Sequence, residues 1–140
     1  MISILKDSMS RISLGIPSLP KEFHRLGGAQ LPNGDLLISG GGLFPGWNDE
    51  YFHYKDGSNQ WKKVGTMKGT RLGHSSVLIN GDLLTTGGCD SSLSLSTIEK
   101  FSINGGVKER MNMPIALQHH AAAVFGKDTI LIIGGIDVKV

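Results

Sequence analysis

Three pairs of adjacent glycines end three apolar stretches of the chain at even spacing. The pairs are Gly40-Gly41, Gly87-Gly88 and Gly134-Gly135, so each step is 47 positions (87 − 40 and 134 − 87). Other features keep nearly the same step, because the sequence Asn-Gly-Asp-Leu-Leu at 33–37 returns at 80–84. A period of this length is typical of a repeat architecture, in which each unit buries its apolar face against its neighbours.

Each repeat unit predicts short strands joined by turns. The predicted strands a, b, c and d lie at 27–32, 35–39, 50–55 and 60–64 in the first unit and at 74–79, 82–86, 97–102 and 106–110 in the second, with a and b again at 120–125 and 128–133. Asn33-Gly34 and Asn80-Gly81 separate apolar runs and favour type I′ hairpin turns. No segment has a sustained helical period, and Pro17 and Pro20 oppose a helix over 14–26. The fold class is therefore predicted to be all-β.

Strand b is a continuous apolar run in two of the three units. Leu36-Leu37-Ile38 and Ile130-Leu131-Ile132-Ile133 do not alternate with polar residues. A strand of this kind is typically covered on both faces. Sheets stacked one against the next meet that requirement.

These residues resemble the repeats of the Kelch family. The first glycine pair is followed by Tyr54 and, after six residues, by Trp61, and the segment from Met67 to His74 is similar to the family's Met-Pro-x-x-Arg-x-x-His. The second unit departs from this pattern, with Phe101 in place of the tyrosine. The resemblance implies four-stranded antiparallel blades arranged radially as a β-propeller. It assigns structural positions to Gly40, Gly41, Tyr54, Trp61, Gly87, Gly88, Phe101, Gly134 and Gly135.

The predicted blades do not complete a ring. Kelch repeats are expected over 18–140, with blades at 27–65 and 74–111 and a partial blade at 120–135. Residues 1–17 form an N-terminal segment that could supply one outer strand, at 11–16, of a preceding blade. Propellers typically need four to eight blades. Either the sequence is a fragment of a longer protein, which we favour, or copies associate through open blade edges.

Charge and cysteine content narrow the class of protein. The chain has 14 basic and 12 acidic side chains, scattered along the sequence, so neither nucleic acid nor a membrane surface is an expected partner. It has no apolar run long enough to span a membrane, and Lys6 and Asp7 interrupt the N-terminal apolar residues too early for a signal peptide. Cys89 is the only cysteine, which favours a reducing compartment. We expect a cytoplasmic protein.

No group of residues predicts catalysis, a metal site or a cofactor. Gly40–Gly46 is glycine-rich, but no Gly-Lys-Ser/Thr follows it, so it is not a phosphate-binding loop. His74 and His120 are repeat equivalents, which indicates a structural role, and adjacent His119 and His120 in a strand point to opposite faces. The chain is therefore expected not to be an enzyme.

Galactose oxidase is the enzyme alternative, because it carries similar Kelch-like blades. The radical copper site that this resemblance implies needs two tyrosines, two histidines and a cysteine crosslinked to one tyrosine. Tyr51 and Tyr54 are the only tyrosines and share one predicted strand, so they are not expected to converge with Cys89. Cys89 also lacks a visible catalytic partner and is expected to be a neutral or buried thiol.

The candidate binding residues lie in loops. The Kelch resemblance implies that the b–c and d–a loops open on one face, where partners dock. Phe44 and Trp47 lie in a predicted b–c loop, and Arg71 and Gln118 lie in the d–a loops at 66–73 and 112–119. Loops on a rigid scaffold often carry binding residues, and Trp and Arg contribute strongly to protein interfaces. We predict a protein or peptide partner at these four residues; the alternative is that they only cover loop backbone.

Overall fold

The protein is built from strands and turns. The computed structural model describes residues 3–5, 11–13, 15–43, 45–91 and 93–139, and these ranges contain no helix, which confirms the all-β prediction. The strands are β1 (Ser3–Leu5), β2 (Arg11–Ser13), β3 (Gly27–Gln30), β4 (Leu36–Ser39), β5 (Gly42–Leu43), β6 (Gly46–Trp47), β7 (Glu50–Tyr54), β8 (Trp61–Thr66), β9 (Ser75–Ile79), β10 (Asp82–Thr86), β11 (Cys89–Asp90), β12 (Leu93–Ser94), β13 (Thr97–Ser102), β14 (Gly106–Asn112), β15 (Gln118–Phe125) and β16 (Thr129–Ile136).

Two sheets have four strands each. The first sheet has the order β3-β4-β7-β8 and the second the order β9-β10-β13-β14, with every neighbouring pair antiparallel. In each sheet, strands that follow one another as a, b, c and d along the chain are also neighbours in space. The strand pattern predicted from the sequence therefore produces two complete four-stranded blades.

The two Asn-Gly turns differ. Asn80 and Gly81 both have positive φ and join Ile79 directly to Asp82, as a type I′ turn requires. In the first sheet only Gly34 has positive φ, and the connection between β3 and β4 is longer, closed by a hydrogen bond from Gly34 N to Leu31 O. The type I′ prediction was therefore wrong for Asn33-Gly34. There the Asn33 carboxamide accepts a hydrogen bond from Asp35 N, which favours the alternative turn.

The first two sheets pack face to face. Their junction buries Leu37, Tyr51 and Met67 against Leu83 and Phe101. The rings of Tyr51 and Phe101 stack, with 3.9 Å between their centroids. Large apolar side chains from both sheets therefore form one continuous core, which is how the repeats bury surface that a single sheet would leave exposed.

The third sheet contains two strands among the described residues, β15 and β16. One of its faces packs on the second sheet, where Ala122 and Ile130 contact a cluster that contains Val77, Ile79 and Leu84. The opposite face is exposed, including Leu131 and Ile133. The expectation that the apolar run at 130–133 is covered on both faces does not hold within the described residues, none of which adds a further sheet against this face.

A small hairpin forms at the N-terminus. β1 pairs with β2 as a separate two-stranded sheet, with Ile4 opposite Ile12. β2 lies within the predicted strand at 11–16, and its assignment to a preceding blade stays a prediction. The described sheets do not close into a ring, as expected for an incomplete propeller.

In the first two glycine pairs, the first glycine is closely surrounded by groups of the following unit. Gly40 and Gly87 have φ of +59° and +57°, and a Cβ at either position would collide with a backbone carbonyl and a histidine ring. At Gly40 these groups belong to Arg71 and His74, and at Gly87 to Leu117 and His120. Gly134 has a similar φ of +72°, but a Cβ there would meet nothing within 4 Å.

Candidate functional site

The b–c and d–a connections lie on one surface. Gly41 N donates a hydrogen bond to Arg71 O, and Gly88 N donates one to Leu117 O, each over 2.8 Å. Each b–c segment is therefore hydrogen-bonded to the next d–a loop along the chain. Each b–c segment also contains a short hairpin, β5–β6 in the first unit and β11–β12 in the second. We call this surface the loop face; its described residues are 40–43, 45–49, 67–74, 87–91, 93–96 and 113–117.

Arg71 lies inside the loop face, with only 2% of its surface exposed. Its Nη1 donates to the carbonyls of Gly87 and Thr97, and its Nη2 donates to Thr97 Oγ1 over 2.8 Å. Burial lowers the pKa of the guanidinium, which the nearby Glu99 charge partly offsets. Arg71 therefore fixes the start of the second b–c segment, and its guanidinium is not available to a partner at the surface.

Gln118 is also buried, at the start of β15. Its Nε2 donates to Ser94 Oγ over 3.3 Å, which connects β15 to the β11–β12 hairpin. For Arg71 and Gln118 the structure thus favours the alternative role, in which the side chain supports the loops. Their contact with a partner stays a prediction.

Trp47 is the predicted binding residue that the structure places at the surface. It ends the β5–β6 hairpin, and 42% of its surface is exposed. Phe44, which we also predicted, lies outside the described residues. The structure therefore does not bring the four predicted residues together as one exposed group.

Two residues that matter on the loop face were missed. Leu93, at the tip of the β11–β12 hairpin, is exposed like Trp47. Asn48 is buried; its Nδ2 donates to Gly40 O over 3.0 Å, and its own carbonyl accepts from Arg71 N. Asn48 could have been suspected, because asparagine commonly satisfies loop backbone groups. Nothing in the sequence distinguishes Leu93 from a core leucine.

Strand-a histidines join one blade to the previous one. His74 Nε2 lies 3.0 Å from Ser39 Oγ, and His120 Nε2 lies 2.8 Å from Thr86 Oγ1. Ser39 and Thr86 are repeat equivalents at the ends of β4 and β10, so the same contact recurs at both junctions. Burial, with the Arg71 charge, lowers the pKa of His74 to about 3, and burial also lowers the pKa of His120. These histidines are neutral structural groups at physiological pH.

The two tyrosines and the cysteine considered for a copper oxidase site pack against different neighbours. Tyr51 is stacked against Phe101 in the junction, where burial raises the pKa of its hydroxyl, whereas Tyr54 packs against Trp61. Cys89 is buried beside Leu72, and burial raises the pKa of its thiol. In the described ranges, no three His, Cys, Asp or Glu side chains are grouped so that they could hold one metal ion.

The stacked four-stranded sheets, with strands a to d in spatial order, define this chain as a set of β-propeller blades. Residues 70–106 match the family model described as the Kelch motif, so the resemblance inferred from the sequence is confirmed. The motif covers strand a to the c–d turn of the second blade.

Among solved structures, the chain is similar to YjhT. The TM-score is 0.74 at 16% sequence identity, and the match covers 89% of this chain and 37% of YjhT. The chain thus spans little more than a third of that protein, and the likeness shows the propeller fold. The comparison with curated proteins found no match. The described part of the chain forms no helix with the length and apolar character needed to cross a bilayer.

Proposed function

We propose that this chain is a non-catalytic scaffold that binds a protein or peptide through the loop face. The observation that carries the proposal is a pair of large apolar side chains, Trp47 and Leu93, exposed on two repeat-related hairpins. Exposed tryptophan is among the residues that contribute most to protein interfaces. Both side chains lie on the same surface, so a single partner can contact them together.

Rigid support for these hairpins favours the proposal. Asn48 bonds to Gly40 beside the first hairpin, and Arg71 bonds to Gly87 and Thr97 on either side of the second. Side chains on a preformed scaffold lose little conformational entropy when a partner binds. The buried Arg71 and Gln118 therefore contribute by holding the exposed residues in place.

Selection of peptides from a random displayed library would test this proposal. We expect the immobilised chain to enrich peptides that carry apolar side chains, and Trp47→Ala with Leu93→Ala to weaken their binding by at least about 30-fold. Arg71 and Gln118 are left unchanged, so that a loss of binding reports the surface and not the fold.

Phe125→Ala is the matched control, since Phe125 is also large, apolar and exposed but lies next to the a–b turn at the opposite end of its sheet. Enriched peptides should bind this variant as they bind the unaltered chain. Peptides that depend on Phe125 and ignore Trp47 and Leu93 would contradict the proposed site, as would a failure to enrich any peptide.

A further inference from the structure

Three residues occupy the same place at the entry to strand a in consecutive sheets. Arg25, Gly73 and His119 each lie two positions before a strand-a residue whose partners on strand b are 47 positions apart (86 − 39 and 133 − 86). All three have a left-handed backbone, with φ of +55°, +61° and +55°. The fold therefore imposes one backbone conformation on this position in all three sheets. We call these three residues the entry row.

Backbone hydrogen bonds join the entry row across the sheets. Gly73 N donates to Arg25 O over 3.2 Å, and His119 N donates to Gly73 O over 2.7 Å. Gly73 is therefore the middle member, with Arg25 of the first sheet on one side and His119 of the third sheet on the other. The spacing of the three residues is fixed by these bonds and does not depend on flexible loops.

Two members of the entry row keep a side chain where glycine would be less strained. A left-handed backbone brings Cβ too close to the following carbonyl oxygen, which costs free energy in residues other than glycine. Gly73 avoids this cost, whereas Arg25 and His119 do not. Strained residues of this kind concentrate at functional sites. The side chains of Arg25 and His119 are therefore candidates for contact with a ligand.

The two side chains extend towards the middle of the row from opposite sides. The His119 ring packs on Gly73, because a Cβ added to Gly73 would lie 3.1 Å from His119 Nε2. Burial raises the pKa of the Cys89 thiol and the charge of Arg25 opposes this effect, so the guanidinium lies near Cys89. Backbone hydrogen bonds join Cys89 to Leu72, the residue before Gly73. Arg25 and His119 therefore flank the end of the same d–a loop.

Both side chains have hydrogen-bond donors that remain free. Arg25 and His119 are exposed, and neither side chain takes part in a hydrogen bond or an ion pair with another described residue. A guanidinium presents two parallel N–H groups that fit the two oxygens of one carboxylate, and an imidazole donates a further N–H. Because the two groups flank one loop end, they can contact the same carboxylate.

A neighbouring acidic residue limits the charge that a ligand can carry. The charge of Asp90 also acts on the Cys89 thiol, so Asp90 lies in the same surroundings as Arg25. Asp90 repels any anion, and it repels a doubly charged phosphate about twice as strongly as a singly charged carboxylate at the same distance. The guanidinium of Arg71 is buried and hydrogen-bonded inside the loop face, so Arg25 supplies the accessible positive charge. This balance favours a carboxylate ligand.

We propose that the entry row is a binding site for a carboxylate group, which Arg25 holds through two N–H donors and His119 through one. The site adjoins the loop face, because Gly73 belongs to both. The carboxylate belongs either to a small organic acid or to an acidic side chain of a partner protein. The site goes beyond the contact of Trp47 and Leu93 with apolar side chains and does not depend on it.

Nuclear magnetic resonance titration of the isotope-labelled chain with acetate tests the site. We expect acetate to shift the amide signals of Gly73 and His119, and acetamide, which has the same shape without the charge, to leave them in place. Arg25→Gly should raise the dissociation constant for acetate at least about tenfold and His119→Gly about threefold. Glycine suits the positive φ at both positions, so both variants should keep the urea midpoint of the unaltered chain.

Lys68→Ala is the matched control, because it removes another exposed cation of the loop face. This variant should bind acetate as the unaltered chain does, whereas Asp90→Asn should bind it about threefold more tightly. Acetate shifts that persist in Arg25→Gly, or an equal loss in Lys68→Ala, would overturn the site. Tighter binding of inorganic phosphate than of acetate would overturn the carboxylate assignment.

Two blocked dipeptides distinguish the sources of the carboxylate. One is the amide of acetyl-glutamyl-leucine, and the other is its neutral glutaminyl counterpart. Binding of the first at least about tenfold more tightly than acetate, weakened by Leu93→Ala, assigns the carboxylate to a partner protein; binding no tighter than acetate assigns it to a small acid. Acetate binding that needs Arg25, in a chain that enriches no peptide, would refute the proposed function and leave this site standing.

Discussion

The second and third sheets share one sequence pattern and have different surroundings. In the second sheet Leu83 is covered by the first sheet and Leu84 by the third, and both are buried. In the third sheet Ile130 is covered, whereas Leu131 is 42% exposed. The comparison teaches that an apolar strand b identifies a blade but not its place in the array. Whether that strand forms core or surface depends on the next sheet.

Replacing one phenylalanine in each of these two sheets should give the largest difference in the free energy of unfolding. Phe101 is fully buried against Tyr51, and Phe125 is 65% exposed. We expect Phe101→Ala to lower the free energy of unfolding by about 3–5 kcal/mol, because the junction would keep a cavity. Phe125→Ala, measured by urea denaturation in dilute protein, should cost less than about 1 kcal/mol. Similar losses for the two variants would contradict the difference in packing.

The two blade junctions also differ in the side-chain hydrogen bonds that Arg71 makes at the first one. Its repeat equivalent at the second junction is Leu117, whose hydrogen bonds to the b–c segment are made by its backbone N–H and carbonyl. We expect Arg71→Ala to cost about 2–3 kcal/mol, because the carbonyls of Gly87 and Thr97 lose a charged donor. Leu117→Ala should cost about half as much.

Hydrogen exchange would separate a local from a general effect of Arg71→Ala. The amides of Cys89 and Leu95 are hydrogen-bonded on the loop face and should exchange faster in this variant. Equal stability of Arg71→Ala and Leu117→Ala, with unchanged exchange at these amides, would remove the positioning role assigned to the guanidinium.

The His74 contact makes the first junction sensitive to acid. The folded-state pKa of His74 lies at about 3, below its ordinary value of 6.5, so the unfolded chain binds the extra proton first. Stability is therefore complete above about pH 7 and falls as the pH drops below 6.5, by at most about 1.4 kcal/mol per unit from this residue. His120, whose pKa is also lowered, adds a fall of the same sign.

His74→Gln should flatten this dependence between pH 6.5 and 5. Urea midpoints across that range measure the slope, and the range avoids the titration of Asp35 and Glu50, whose pKa values lie below their ordinary ones. An unchanged slope would show that His74 does not carry the effect.

The even spacing of the glycine pairs was enough to predict most of the fold. Strands b and c were predicted closely, because Leu36–Ser39 begins with three apolar residues, Thr97–Ser102 contains β-branched and aromatic residues, and turn residues lie near both. The β5–β6 and β11–β12 hairpins were not predicted, since strands of two residues show no alternation. Their partners are fixed by loop-to-loop hydrogen bonds that the sequence does not display.

The site was harder to predict than the fold. Trp47, predicted to lie in a b–c loop, is at the end of the β5–β6 hairpin and is exposed, whereas Arg71 and Gln118 were chosen as loop residues and are buried. A long polar side chain can either reach outwards or satisfy neighbouring carbonyls, and the local sequence is the same in both cases. The difference lies in the Gly87 and Thr97 carbonyls, which are 16 and 26 positions away from Arg71.

The first glycine of each pair has a consequence for how such a repeat evolves. At Gly40 and Gly87 the obstacle to a side chain is contributed by the following unit, and at Gly134 that obstacle is missing. Natural selection against mutation at these positions is therefore exerted by a different copy of the repeat from the one that mutates. Duplicating a unit would add this steric restriction to its predecessor, whereas deleting one would leave only the restriction that the positive φ imposes.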